Sequence, residues 1–370
     1  MMKQLIDRAE TGRLPAQAVR LGIRARIARR VAVLNEGTIE EFSQRQRALI
    51  AERADGPITT HTAEANEQHY EVPTEYFRAV LGPRLKYSSA YWPDGVESLA
   101  DAEEAMLALT CERAQLADGQ RILELGCGWG SLTLWMAERY PCAEIVAVSN
   151  SATQRDHIVA EAQQRYLNNV TVHTADVADF EPDGRFDRVV SVEMFEHVNN
   201  HRALMERIAR WLAPDGLAFV HIFSNRSGSW PFEATSEQDW MGRFFFSGGV
   251  MPADDLLLHE QRHLVALDHW RLDGTHYAKT LAAWRETHEA KRSEIIEMFS
   301  APEAYGGSSS ADDAERWYWR WWLFHLACEE LFAFRGGSEF WVSHYLFAPR
   351  DLGRPEPASG IMNSSPSHRN

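Results

Sequence analysis

Glu193-Met-Phe-Glu196-His197 gathers two carboxylates and an imidazole within five residues, directly after the apolar run Phe186–Val192. Groups of these types remove a proton from an amine and stabilise a cation forming beside them. A structural use of Glu196 and His197, capping a helix that starts near Asn200, stays open at this point. A second chemistry-bearing stretch is Arg121–Ser131, where the apolar run Ile122–Leu125 breaks into Gly126, Gly128 and Gly130. Glycine lets the main chain approach a bound ligand closely. Glu124 stands just before the first glycine. A phosphate loop gains nothing from a carboxylate there, because a helix N-terminus attracts anions. A carboxylate does suit a ligand carrying an amino group and a sulfonium, which describes S-adenosylmethionine.

These residues need a scaffold, and the flanking pattern supplies one. Ile122–Leu125 reads as a strand and Leu132–Tyr140 as the helix after it. Glu144–Ser149, Val170–Thr174, Phe186–Val192 and Gly216–Phe223 read as further strands, with helices over Thr153–Tyr166 and Val198–Leu212. Alternation at this spacing predicts an α/β fold, a doubly wound parallel sheet. Ligands of such sheets bind at the carboxyl ends of the strands, where Glu124–Gly128, Ser149–Gln154, Asp176–Val177 and Glu193–His197 converge. The rest reads as an aromatic insert (Ser224–Pro252), a strand (Leu264–Leu272) and a long helix around His276–Met298. A loop at Ala304–Asp312, a tryptophan-rich helix (Trp317–Phe334) and a last strand (Phe340–Phe347) follow. The stretch beyond Arg350 has the Pro, Ser and Asn content of a disordered tail.

The net charge of −15 argues against general nucleic-acid binding, which needs a basic surface. Four scattered cysteines without C-x-x-C spacing suggest neither a disulfide framework nor a zinc site. Met1–Arg30 lacks the apolar core and cleavage site of a signal peptide, so a cytoplasmic location is expected. Arg20, Arg24, Arg26, Arg29 and Arg30 alternate with Val19, Leu21, Ile23, Ile27 and Val31, giving a basic amphipathic helix. Its two readings are a solvated charged face and a peripheral contact with an anionic membrane.

Several blocks in fixed order carry a resemblance. They are QHYEVPTEYF at Gln68–Phe77, LKYSSAYW at Leu85–Trp92, LELGCGWGSLTLWMAE at Leu123–Glu138, VSNSATQRDHI at Val148–Ile158 and SVEMFEHV at Ser191–Val198. HYAKT at His276–Thr280 and EFWVSHYLF at Glu339–Phe347 match more loosely. Together they resemble the cyclopropane fatty acid synthase family of class I S-adenosylmethionine-dependent methyltransferases, most of all its coclaurine-type N-methyltransferase branch. The resemblance implies a Rossmann-like core with an N-terminal helical extension and a helical, aromatic lid insert after the fifth strand. It implies that Tyr87 and Ser88 cover the methionine end of the cofactor, with Glu124, Gly126 and Gly128 beside it. Ser149 and Gln154 then reach the ribose, and Asp176 with Val177 the adenine. Tyr70, Glu71 and His221 are expected at the substrate, and Glu193, Glu196 and His197 at the chemistry.

Departures separate the two branches. The synthases resemble one another in a bicarbonate site of cysteine, glutamate, histidine and tyrosine. Here the cysteine position is Ser89, Glu196 and His221 remain, and the tyrosine is missing from WWLFHLAC at Trp321–Cys328. Glu193 stands where the synthases usually carry glycine. A second carboxylate repels bicarbonate and welcomes an ammonium. The expected activity is methyl transfer to a hydrophobic small-molecule amine, with transfer to an unsaturated lipid acyl chain as the alternative. A homodimer is an open expectation. The expected layout is an extension and cofactor cover (1–105), binding core (106–223), lid insert and return (224–300), C-terminal helix and strand (301–350) and tail (351–370).

Overall fold

The computed structural model describes residues 2–60, 73–232, 239–246, 248–301 and 311–350. Tyr70, Glu71, the tail from 351 and most of the expected loop at 304–312 lie outside them. Five apolar runs form parallel strands: β1 (Arg121–Leu125), β2 (Glu144–Ser149), β3 (Val170–Thr174), β4 (Phe186–Val192) and β5 (Leu212–Asn225). Two short strands, β6 (Trp230–Pro231) and β7 (Val250–Met251), pair inside the insert. β8 (Leu264–Leu272) and β9 (Phe340–Pro349) complete a seven-stranded sheet of order β3-β2-β1-β4-β5-β9-β8. β9 runs antiparallel to both neighbours, so the sheet is parallel except for this one strand. The chain thus passes beyond β5 to lay down β8 and returns at its end to fill the gap.

Alternation along the strands divides the core. Leu123, Leu125, Val189 and Val220 face α8 (His201–Trp211). Ile122, Val190, Phe219 and Leu346 face α5 (Leu99–Arg113) and α6 (Ser131–Arg139). The other helices are α1 (Met2–Ala9), α2 (Ala16–Leu34), α3 (Ile39–Ala54), α4 (Thr74–Val80), α7 (Ala152–Gln164), α9 (Trp240–Phe244), α10 (Gly274–Ala290), α11 (Arg292–Phe299) and α12 (Ala311–Ala333). A third, largely aromatic cluster around Tyr76, Phe245, Trp284 and Trp321 joins α4 and the insert to α10 and α12.

Three sequence readings change. The helix expected over His276–Met298 breaks at Lys291, and the turn aims Ile295 and Phe299 of α11 into the aromatic cluster. The expected boundary at 105 falls inside α5, whose Leu107 and Cys111 pack under the sheet. Helix α2 buries Val19, Ile27 and Val31 but leaves Leu21 exposed, so its apolar residues do not share one face as expected; Arg20 pairs with Glu329 and Glu330 of α12 and Arg24 with Glu330. Arg20 and Arg24 are therefore committed to intramolecular ion pairs. No helix among the described residues is long and apolar enough to cross a membrane.

Candidate active site

One cleft opens at the carboxyl ends of β1, β2 and β4, and almost all the chemistry-bearing residues line it.

The glycine loop forms the floor. Gly126, Gly128 and Gly130 all adopt positive φ. A Cβ on Gly126 meets Met194 at 2.7 Å, so packing requires that glycine. A Cβ on Gly128 meets nothing within 4 Å, so the space beside it is open, and its φ of +52° is one that a side chain rarely adopts. Glu124 is fully buried and accepts a hydrogen bond from the Thr133 hydroxyl. Burial pushes its carboxyl up to about 8. Such a group fits the ammonium of an amino-acid moiety, which supplies the missing counter-charge. Ser149 donates to Gln154 at 2.7 Å, and Ser151 caps α7, leaving the first two residues to face the cleft. Asp176 and Val177 line the next stretch of wall. Asp176 is itself held by the Thr59 hydroxyl, 3.0 Å from either carboxylate oxygen.

Tyr87 and Ser88 lie opposite, on a segment clamped from two sides. The buried Glu103 carboxylate of α5 accepts from the Arg84 and Lys86 amides at 2.9 and 3.3 Å. Thr280 of α10 accepts from the Ala90 amide and the Trp92 indole. Lys86 turns inward and donates to Ser88 Oγ and the Ser89 carbonyl at 2.5 and 2.8 Å. Burial pulls its ammonium down to about 8.

Past β4 the chain takes a left-handed step at Glu193 (φ +47°), then a 3₁₀ turn, Phe195–His197. Glu193 Oε1 accepts from the Ser89 amide at 2.9 Å and lies 3.1 Å from His221 Nε2; Oε2 accepts from the Tyr277 hydroxyl at 2.5 Å. Glu196 is buried, and its Oε2 has no hydrogen-bond partner among the described residues. Burial and the neighbouring Glu193 hold its carboxyl well above the usual range. The His197 ring stacks on Phe246, 5.6 Å between centroids and 3° between planes, and burial pulls it down to about 4. Asn200 caps α8 with its own side chain, 2.9 Å from the Ala203 amide. The capping role left open for Glu196 and His197 is therefore taken by another residue.

His221 requires correction. It is not among the residues of the cleft wall, because both ring nitrogens are engaged behind it, Nε2 by Glu193 and Nδ1 by His344. The apolar wall is Phe223, Phe246, Tyr277, Leu281, Trp284 and Phe324. Trp230, Trp240 and Trp321 pack in the aromatic cluster instead. Thr59, Lys86, Tyr277 and Glu103 escaped sequence reading. Lys86 in an otherwise uncharged block and Tyr277 in HYAKT carried a signal; Thr59 and Glu103 carried none.

Residues 58–305 match the model of the mycolic acid cyclopropane synthetase family. The chain belongs to that family. It is also 33% identical over 346 residues to the (S)-coclaurine N-methyltransferase of Thalictrum flavum subsp. glaucum, covering 93% of this chain and 95% of that one. A cyclopropane-fatty-acyl-phospholipid synthase of Escherichia coli K12 is 32% identical over 237 residues, covering 63% of this chain and 59% of the synthase. Among solved structures, a coclaurine N-methyltransferase bound to N-methylheliamine and S-adenosylhomocysteine superposes with a TM-score of 0.85 at 31% identity, over 94% of this chain and 98% of that one. This family member is an S-adenosylmethionine-dependent methyltransferase with the class I fold.

Proposed function

We propose that the protein transfers a methyl group from S-adenosylmethionine to the nitrogen of a hydrophobic, coclaurine-type amine. The seat of the Glu193 carboxylate carries this reading. In the cyclopropane synthases, as the resemblance implies, bicarbonate rests among groups at the positions of Ser89, Glu196, His221 and a tyrosine. Here a carboxylate tethered to the chain takes up the Ser89 amide, His221 and a phenol from a different helix, Tyr277. Free bicarbonate would meet a carboxyl already in its place, whereas an ammonium would be attracted to its ionised form, which burial opposes and three donors favour. Phe324, within the Trp321–Cys328 stretch that lacks the tyrosine, extends the aromatic wall that an aromatic amine needs.

When bound, S-adenosylmethionine supplies a methyl group on a positively charged sulfur, open to in-line displacement by nitrogen. Glu124, Gly126, Gly128 and Tyr87 would hold its amino-acid end; Ser149, Gln154, Asp176 and Val177 would hold the nucleoside. An amine is mostly protonated at neutral pH and has no lone pair to offer until that proton leaves. The Glu196–His197 pair is placed to take it: Glu196 carries the raised, more basic carboxyl, while burial holds His197 neutral beside it. Glu196 holds the cation as reactant and as methylated product. Glu193 contributes charge but has both oxygens engaged.

The test is incubation with methyl-labelled cofactor against tetrahydroisoquinoline-like amines and against vesicles of unsaturated phospholipid, each with and without bicarbonate. Label is expected on the amine nitrogen at a rate indifferent to bicarbonate. A bicarbonate-dependent gain of one carbon on an acyl chain would overturn the reading in favour of lipid chemistry.

A further inference from the structure

Behind Glu193 a row of buried imidazoles crosses the sheet and ends on a guanidinium. His221 on β5 and His344 on β9 are register partners, and His344 is in turn paired with Trp270 on β8. Residues paired directly across strands point to the same sheet face, here the face covered by α5. Both imidazoles are completely buried. Arg113, in the last turn of α5, reaches over the end of the row. Its Nη1 lies 2.9 Å from His344 Nδ1, and its guanidinium stands over the Trp270 ring, 5.0 Å from the centroid. His344 Nε2 lies 2.9 Å from His221 Nδ1, and His221 Nε2 lies 3.1 Å from Glu193 Oε1.

A guanidinium has donors and no acceptor, so the end of the row fixes every proton in it. Arg113 donates to His344 Nδ1, which therefore carries no hydrogen; the neutral ring bears its hydrogen on Nε2 and donates to His221 Nδ1. His221 then bears its own hydrogen on Nε2 and donates to Glu193. A second proton on either ring is disfavoured by burial and by Lys86 and Arg113, the cations facing the row from the Tyr87 segment and from α5. The row conducts no proton outward, since Arg113 accepts none.

We propose that Arg113 and His344 are positioning residues that lock His221 in its Nε2–H tautomer, hold the Glu193 carboxylate purely as an acceptor and so direct the substrate proton to Glu196 and His197. The last clause rests on the amine reading above; the tautomer lock does not.

Protein labelled with ¹⁵N-histidine separates bare from protonated ring nitrogens in long-range ¹H–¹⁵N spectra. The wild-type protein is expected to show Nε2–H for both His221 and His344, without change across the neutral range. In Arg113→Met, checked as folded by circular dichroism, His344 loses its single tautomer. Its kcat with an amine falls about tenfold, the scale of a lost outer-sphere partner, while KM and cofactor affinity stay in place. Arg113→Lys, which keeps a donor, restores the Nε2–H pattern and most of the turnover. An Nδ1–H signal on either wild-type ring overturns the lock whatever the variants do. Unchanged tautomers and kcat in Arg113→Met, or a loss that lysine fails to restore, overturn it as well. If the spectra come out as expected but no amine is methylated, the lock stands and the amine reading falls.

Discussion

Glu193 occupies a backbone position suited to glycine. Its φ of +47° costs a non-glycine residue about 1–2 kcal/mol. Three donors converge on its carboxylate, and each buried donor left unpaired costs about 1–3 kcal/mol. The side chain thus offsets the strain it creates, and a return to glycine loses more than it relieves. Glu196 differs, with one oxygen unpartnered among the described residues and a carboxyl pushed up by burial and by Glu193. A carboxyl with a raised pKa stays protonated until the pH climbs past it, while the form that holds a cation is the ionised one. Turnover should therefore rise with pH above the ordinary carboxylate range and then level. Glu196→Gln is expected to lower kcat by about 10²–10⁴-fold and to flatten that limb, with cofactor affinity intact by calorimetry. A Gln variant retaining both rate and limb would return Glu196 to a structural role. The E-x-x-E-H spacing made this cluster legible. Lys86, Thr59, Tyr277 and His344 arrive singly from distant segments, and a lone residue carries no spacing to read.

The elements were legible in proportion to how locally they are determined. β1 to β4 are set by short local runs, buried in β1, β2 and much of β4 but largely exposed in β3; the expected bounds of β2, β3 and β4 match those observed, and β1 begins one residue earlier, at Arg121. The place of β9 between β5 and β8 depends on pairing between strands far apart in the chain, which no local pattern encodes. The same holds for the N-terminal helices. At the end of α1, the buried Glu10 accepts from the Trp240 indole of α9 at 2.7 Å and pairs with Arg316 and Arg320 of α12 at 3.2 Å. Beyond α9 comes Phe246, the ring stacked on His197. One carboxylate thereby ties the start of the chain to the aromatic side of the acceptor pocket. Glu10→Ala leaves three donors without their acceptor, and losing even one such hydrogen bond costs about 1–3 kcal/mol. The expected result is a lower Tm and a raised KM for the acceptor, with cofactor affinity unchanged. A shift in cofactor affinity alone would show that α1 acts elsewhere.

At the scale of the whole molecule, buried carboxyls set how stability responds to pH. Glu124, pushed up to about 8, titrates near 4.3 in an unfolded chain. A raised carboxyl contributes stability that is complete below the unfolded value and lost as pH rises through the folded one. Scanning calorimetry of the ligand-free protein should show Tm falling from about pH 5 to pH 8, with a shallower fall in Glu124→Gln. Parallel slopes in the two proteins would place the proton elsewhere. The sheet also constrains the order in which the molecule becomes an enzyme. β9 follows every other strand of the sheet in the chain, yet it lies inside the sheet and brings His344 to the back of Glu193. Strands emerge from the ribosome in sequence, and domains begin to fold during synthesis. A chain halted before Phe340 has its glycine loop and both glutamates but leaves β5 with an unpaired edge and His221 without its partner. Cofactor recognition and methyl transfer are therefore separate achievements of a growing chain, and the second waits for the last strand to be threaded home.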